Sequence, residues 1–191
     1  MCGNPSKFKN GGKYPVEKVS WKKAMDFCRR LTERELKAGH LPEGYVYTLP
    51  TEAQWEYAAR GGNKSSGYKF SGSDKLDHVG WYNVNSGGKT CMTHSVRGKS
   101  PNELGFYDMS GNVWEWCRDS CDYDKRSYAV KTDTYRDGIS DPFSALGAWC
   151  VYRGGGYITS AERCRVAYRV CVPPGAMHEF LGFRVALAPS K

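Results

Sequence analysis

The sequence lacks several features that would assign a protein to a functional class directly. No stretch approaches ~18 uninterrupted apolar residues, which excludes a membrane-spanning helix. The first seven residues contain no apolar run, so the chain as given carries no secretory signal, although one could have been removed from a longer precursor. No helix-turn-helix, homeodomain or zinc-finger pattern is present, and we therefore expect no specific nucleic-acid partner.

Metal-binding cysteine patterns are also missing. Eight cysteines make up ~4% of the chain, which is below the density of a disulfide scaffold. None forms a Cys-x-x-Cys pair, and Cys117 and Cys121 have no histidine near them in sequence, so a zinc site is not supported. Buried free thiols and one or two disulfides are both compatible with this spacing.

The composition is that of a single globular domain. Hydrophobic residues account for 40% and charged residues for 25% of 191 residues, enough for one core to bury most apolar side chains. The net charge of +8 arises from basic residues scattered along the chain, which favours a solvated surface. A glycan- or nucleic-acid-binding module that exploits this charge stays open as an alternative.

Two amphipathic helices are predicted in the first third of the chain. Ser20 is a candidate N-cap for the first helix, and apolar residues follow at i, i+3, i+4 and i+7, namely Ala24, Phe27, Cys28 and Leu31. Thr51 and Gln54 have the spacing of a capping box, which predicts a second helix that ends before the glycine pair at 61–62.

The remainder of the sequence predicts short strands between long turns. Residues with high strand propensity alternate there with Gly, Ser, Asn, Asp and Pro. The predicted strands are 45–49, 79–82, 104–107, 113–116, 151–157, 165–170 and 182–187, and 119–142 is predicted as a long turn. Alternation in 165–170 places Val166, Tyr168 and Val170 on one face. Arg165, Arg169 and Arg184 would then need carboxylate or carbonyl partners where they are buried.

Six blocks of sequence carry a family resemblance. They are Asn4-Pro5-Ser6-Lys7-Phe8, residues 15–21, Leu49-Pro50-Thr51-Glu52-Ala53-Gln54-Trp55-Glu56-Tyr57-Ala58-Ala59-Arg60-Gly61-Gly62, residues 105–116, Arg153-Gly154-Gly155 and Gly182-Phe183-Arg184. In order and spacing they resemble the formylglycine-generating-enzyme (sulfatase-modifying factor) domain. The resemblance implies an α+β, C-type-lectin-like fold with two helices, short antiparallel strands and many loops. It further implies one domain over 1–191, with the first strands of the family pattern truncated before residue 4.

One function implied by the resemblance is formylglycine generation, the oxidation of a cysteine in sulfatases. Enzymes with this activity carry two close cysteines just after a Gly-Gly-Ser element. The matching segment here, 154–165, is shorter and contains one cysteine, Cys164. This activity, or that of a related cysteine-dependent oxidase, is therefore the alternative, with Cys150, Cys164 and Cys171 as the thiols to test.

The second function comes from the variable proteins of diversity-generating retroelements, which the C-terminal region also resembles. Their framework is matched by 153–155, by Cys164-Arg165-Val166-Ala167-Tyr168-Arg169, by Pro173 and by 181–186. The resemblance implies a non-catalytic, receptor-type protein with a variable ligand-binding region at 148–187. Rigid tyrosines suit such a display surface. The candidate ligand-binding residues are Tyr152, Tyr157, Ile158, Thr159, Tyr168, Val170, Cys171, Val172, Gly175, Ala176, His178 and Phe180.

The resemblance also sets expectations for cofactors, partners and location. No cofactor is required, but a structural calcium ion is implied, with Asp108 and Glu115 side chains and the carbonyls of Gly111 and Val113 as ligands. The alternative is that both carboxylates accept hydrogen bonds from loop amides or arginines. We expect a monomer with a protein or glycan ligand, at the surface of a bacterial cell or secreted from it.

Overall fold

The computed structural model describes residues 3–127, 129–135 and 138–190. Helix α1 spans Trp21–Lys37 and helix α2 spans Glu52–Ala59. The Ser20 hydroxyl accepts a hydrogen bond from the Lys23 amide, and Thr51 and Gln54 form a reciprocal capping box, so both predicted helix starts are confirmed. A third helix of one turn, α3 at Leu76–Val79, was not predicted. Within the described ranges no helix is both long and apolar enough to cross a membrane.

In the described part of the chain, seven strands form two sheets. Strand β1 (Tyr45–Thr48) pairs antiparallel with β7 (Ala186–Pro189). The larger sheet has the order β3 (Ala129–Lys131), β2 (Trp114–Asp124), β4 (Trp149–Arg153) and β5 (Val170–Val172), and β6 (Leu181–Phe183) also pairs with β2. The α+β, C-type-lectin-like prediction is confirmed. Among the described strands, β2 and β6 pair in parallel and the other pairs are antiparallel.

Three predicted strands are wrong, and the local cause differs from one to the next. At 79–82 the chain leaves α3 and packs so closely that a Cβ on Gly80 would meet the Ser110 carbonyl. At 104–107 the Asn102 side chain accepts from the Leu104 and Phe106 amides, which makes a turn. In 165–170 only Val170 belongs to a strand, so Val166 and Tyr168 do not share a face.

The predicted long turn at 119–142 is also wrong in its first part, because β2 continues to Asp124. The Asp119 carboxylate is buried and accepts hydrogen bonds from the Glu52 and Ser144 amides, at 2.7 and 3.0 Å. Burial raises the pKa of this carboxyl above its ordinary value. A polar residue that would normally indicate a turn therefore lies inside the longest strand.

The main sheet is covered on both faces. Trp116 and Tyr152 point towards α1 and pack with Ala24 and Cys28. Cys117 and Val151 point the other way and pack with Trp55 of α2. This alternation along β2 and β4 fixes which side chains of the C-terminal region face the core.

Candidate functional site

Buried ion pairs hold the C-terminal region against α2. Arg153, at the end of β4, is fully buried and donates to Glu56 and to the carbonyls of Val166, Ala167 and Tyr168. The loop that follows is thereby attached through its backbone, and its side chains take no part in this attachment. We call Arg153, its carboxylate partner Glu56 and the three carbonyls the arginine anchor.

The arginines flagged in the sequence all find carboxylate partners, as predicted. Arg169 binds Glu52 through two hydrogen bonds of 2.6 and 2.5 Å. Arg184 binds Glu115 through two hydrogen bonds of 2.7 Å, and Arg165 pairs with Glu162 at 2.5 Å. A charge removed from water is stabilised in this way only if its partners are in place.

An open pocket of about 640 Å³ lies where the C-terminal segment crosses the main sheet. Six of the twelve predicted ligand-binding residues line it: Tyr152, Ile158, Thr159, Tyr168, Val170 and Phe180. The sequence analysis did not predict the other six lining residues, which are Trp114, Tyr123, Val130, Ser160, Arg163 and Arg169. Ser160 and Arg163 lie beside predicted positions, but nothing local marks the residues of β2 and β3 as lining a distant segment. We call this the display pocket.

Aromatic rings form the base of the display pocket. Trp114 packs edge-on against Tyr152 at a centroid distance of 5.0 Å and lies 6.1 Å from Tyr168. Tyr152 is 7% exposed, and burial raises the pKa of its phenol to about 12. Tyr168 and Phe180 are half-buried, and Ile158 is 42% exposed. The pocket therefore combines a rigid aromatic base with accessible rim residues.

The expectation of surface exposure is wrong for three predicted residues, Tyr152, Tyr157 and Cys171, which are all buried. Tyr157 is 1% exposed and packs edge-on against Phe8 at 5.5 Å, because Gly154 and Gly155, with φ of +98° and +77°, turn the chain inward. Its hydroxyl has no hydrogen-bond partner among the described residues. Cys171 is 3% exposed and lies in the core.

The other four predicted ligand-binding residues lie outside the display pocket. Val172 and Ala176 are half-buried and pack against the core. Gly175 and His178 are exposed, and the His178 ring stacks on Phe180 at 5.0 Å. His178 thus contacts the pocket lining through its ring.

Both carboxylates expected to bind calcium accept hydrogen bonds from other groups of the protein. Both Glu115 oxygens bind Arg184, and one also accepts from the Trp55 indole at 2.7 Å. Asp108 accepts from the Arg97 amide at 2.8 Å, and burial raises the pKa of its carboxyl. In the described parts of the chain no three His, Cys, Asp or Glu residues lie close enough together to hold a metal ion. Gly111 and Val113 flank this arrangement, which follows the alternative of arginine and amide hydrogen bonds.

Six of the seven described cysteines lie in the interior, and Cys91 is partly exposed. Cys164 is fully buried, and burial raises the pKa of its thiol to about 11; Cys150 is raised to about 12 for the same reason. Cys171 behaves differently because the Cys121 thiol donates a hydrogen bond to it, which lowers the pKa of Cys171. These two thiols contact each other in the core cluster beside Val151.

Comparison with known proteins places this geometry in context. Residues 2–189 match the sulfatase-modifying factor enzyme 1-like domain. The chaperone protein LppX of Paenibacillus barcinonensis is 32% identical, with 88% of this chain and 67% of LppX covered. The formylglycine-generating enzyme of Streptomyces coelicolor is 32% identical, with 91% of this chain and 52% of the enzyme covered.

A solved structure shares the fold. Treponema denticola variable protein 1 superposes with a TM-score of 0.76 at 32% identity, over 98% of this chain and 78% of that one. Among curated relatives, this chain spans 52% of the Streptomyces enzyme and 24% of the serine/threonine-protein kinase pkn1 of Chlamydia pneumoniae.

Proposed function

The chain belongs to the sulfatase-modifying factor enzyme 1-like family, and we propose that within this family it is a non-catalytic ligand-binding module with a sequence-variable binding surface. The display pocket is the binding site. The likeness to Treponema denticola variable protein 1 supports this choice over the other roles that one fold can carry. In this proposal the module is a monomer that meets a protein or glycan ligand at the surface of a bacterial cell or outside it.

In the C-terminal segment, backbone carbonyls attach the chain to the scaffold while side chains line the pocket, and this observation carries the proposal. The arginine anchor holds residues 166–168 by their carbonyls, so the Tyr168 side chain contributes to the pocket without being needed for that attachment. Ile158 and Phe180 likewise present side chains at the rim. A surface of this kind can exchange side chains while its backbone stays fixed.

We further propose that a retroelement diversifies the display pocket. Nine of its twelve lining residues lie within the predicted variable region 148–187. Five of these nine are predicted ligand-binding residues with exposed or half-buried side chains: Ile158, Thr159, Tyr168, Val170 and Phe180. The test is to sequence the DNA around the gene for a reverse transcriptase and a near-identical repeat of the segment that encodes 150–187. A repeat that differs only at adenines, in codons of pocket residues, is the expected result. Differences concentrated in codons of buried residues such as Arg153 would contradict the proposal.

A formylglycine-generating or related cysteine-dependent oxidase is the second candidate function. The contact between Cys121 and Cys171, and the lowered pKa of Cys171, favour it because a thiolate is the reactive form of cysteine. Burial argues against it, since Cys171 is 3% exposed and Cys164 is fully buried. A substrate thiol would have to pass through the core to reach either.

A direct assay separates the two candidates. The protein is incubated with copper and a cysteine-containing sulfatase peptide, and aldehyde is sought by mass spectrometry. We expect none from the wild type. Aldehyde that disappears in Cys171→Ser but persists in Cys91→Ser, a partly exposed control cysteine, would establish the oxidase instead.

A further inference from the structure

The display pocket has an unusual balance of polar groups. The described residues that line it include two arginines, Arg163 and Arg169, but no Asp, Glu, Asn or Gln. The hydroxyls of Thr159, Ser160 and the tyrosines complete its polar side chains. The pocket is therefore rich in hydrogen-bond donors and carries positive charge.

The two arginines are not equivalent. Arg169 is neutralised by Glu52 through two short hydrogen bonds, and its side chain is 24% exposed. Arg163 is exposed and forms no ion pair with any residue that the structure describes. A cation without a partner at the rim of a pocket is available to a ligand, whereas Arg169 is already committed to the scaffold.

Backbone geometry fixes where Arg163 stands. It lies in the single turn Ala161–Cys164, where the backbone carbonyl of Ser160 accepts from the Arg163 amide at 3.0 Å. Its charge is close enough to Tyr152 to act against the rise in that phenol's pKa caused by burial. An anion held by Arg163 would thus lie at the edge of the aromatic base and would accept charge-assisted hydrogen bonds from the guanidinium.

The same lining disfavours a neutral sugar. Sugar hydroxyls are donors as well as acceptors, and the described lining offers hydroxyl acceptors from Thr159, Ser160 and the tyrosines but no carboxylate or carboxamide. The pocket offers apolar faces from Ile158, Val170 and Phe180 in their place. These faces suit an apolar side chain next to an anion.

We propose that the display pocket of this chain binds an acidic peptide segment, with a carboxylate on Arg163 and an adjacent apolar or aromatic side chain against Tyr168 and Phe180. This proposal rests on the proposed function, because it names the ligand class of the same site. It holds for the residues that this chain carries, and a copy with other side chains at these positions would select another ligand.

The experiment uses matched probes. N-acetyl-phenylalanyl-glutamate amide and its glutamine counterpart are titrated into the protein, and binding is followed by NMR. We expect the glutamate peptide to bind about tenfold more tightly, since a charge-assisted hydrogen bond is lost with the amide. The shifts should map to residues of the display pocket.

Variants test whether Arg163 causes the difference in affinity between the two peptides. Arg163→Gln should remove the preference, and Arg163→Lys should retain part of it. Lys22→Gln, which removes an exposed charge on α1 outside the pocket lining, should leave it intact. A phenyl glucuronide tests whether the carboxylate comes from a glycan.

Each other outcome overturns the ligand class. Equal affinity for the two peptides in the pocket would remove the role of Arg163 while leaving the pocket as a binding site. Tighter binding of the glucuronide would replace a peptide by a glycan. Absence of binding by both peptides to folded protein would reject the peptide class, while the repeat in the flanking DNA would still test the proposed function separately.

Discussion

Tyr157 and Tyr168 belong to the same C-terminal segment but lie in different environments. Tyr157 is 1% exposed and packs on Phe8, whereas Tyr168 is half-buried and lines the display pocket. The two residue types are identical, so the difference comes from the backbone: glycines turn one inward, and the arginine anchor holds the other at the surface. Anchored and displayed positions therefore alternate within a few residues, and each can be tested against the other.

The largest expected difference in stability is between a substitution in the arginine anchor and one at the pocket rim. Arg153→Ala leaves Glu56 and three carbonyls without their buried partner, so the free energy of unfolding should fall by about 3–5 kcal/mol. Arg163→Ala, at an exposed site, should change it by no more than about 0.5 kcal/mol. Urea denaturation measures both. Similar losses in the two variants would show that the rim is part of the anchor.

The two tyrosines give the second contrast. Tyr157→Ala removes a buried ring and should cost about 3–5 kcal/mol of unfolding free energy, whereas Tyr168→Ala should cost less because that ring is partly in water. Tyr157→Phe should be neutral or stabilising, since the hydroxyl is buried without a partner in the described residues. Thermal denaturation of the three variants checks this order, and a large loss in Tyr157→Phe would reveal a hidden partner.

The turn at Gly154 and Gly155 allows the same contrast to be tested at the backbone. Gly155 has φ +77°, and a Cβ there would lie 2.4 Å from the Cys164 sulfur, so Gly155→Ala should lose about 1–3 kcal/mol in unfolding free energy. Gly175 has ordinary backbone geometry and no described heavy atom near an added Cβ. Gly175→Ala is the matched control, and its stability by urea denaturation should be close to that of the wild type.

Much of the scaffold could be predicted from sequence because its signals are local. The caps at Ser20 and Thr51 depend on residues three positions away, and both helices start where predicted. The strand at 165–170 failed because Arg153, far along the chain, takes its carbonyls. Burial of Tyr157 depends on Phe8, and Trp114 enters the pocket from another strand. Such contacts leave no periodic pattern near the residue concerned.

The smallest expected effect is the pH dependence of stability that arises from Glu17, a fully buried carboxyl. Burial, followed by the nearby Glu179, raises the pKa of Glu17 above 4.5, against the effects of the Phe8 and Lys7 amides and of Lys18. A raised folded-state pKa stabilises the protein below the unfolded value and loses this stabilisation as the pH rises. The stability of the wild type relative to Glu17→Gln should therefore fall from pH 4 to pH 7. A rise measured by urea denaturation would contradict the sign.

The most direct test of the division between anchored and displayed positions is a saturation library over residues 148–187, selected for protease resistance. Ile158, Thr159, Tyr168, Val170 and Phe180 should accept most side chains and still fold. Arg153, Gly155, Tyr157 and Cys164 should accept very few. If the pocket positions prove as intolerant as Arg153, the segment is a core element and the proposal of a variable binding surface is wrong.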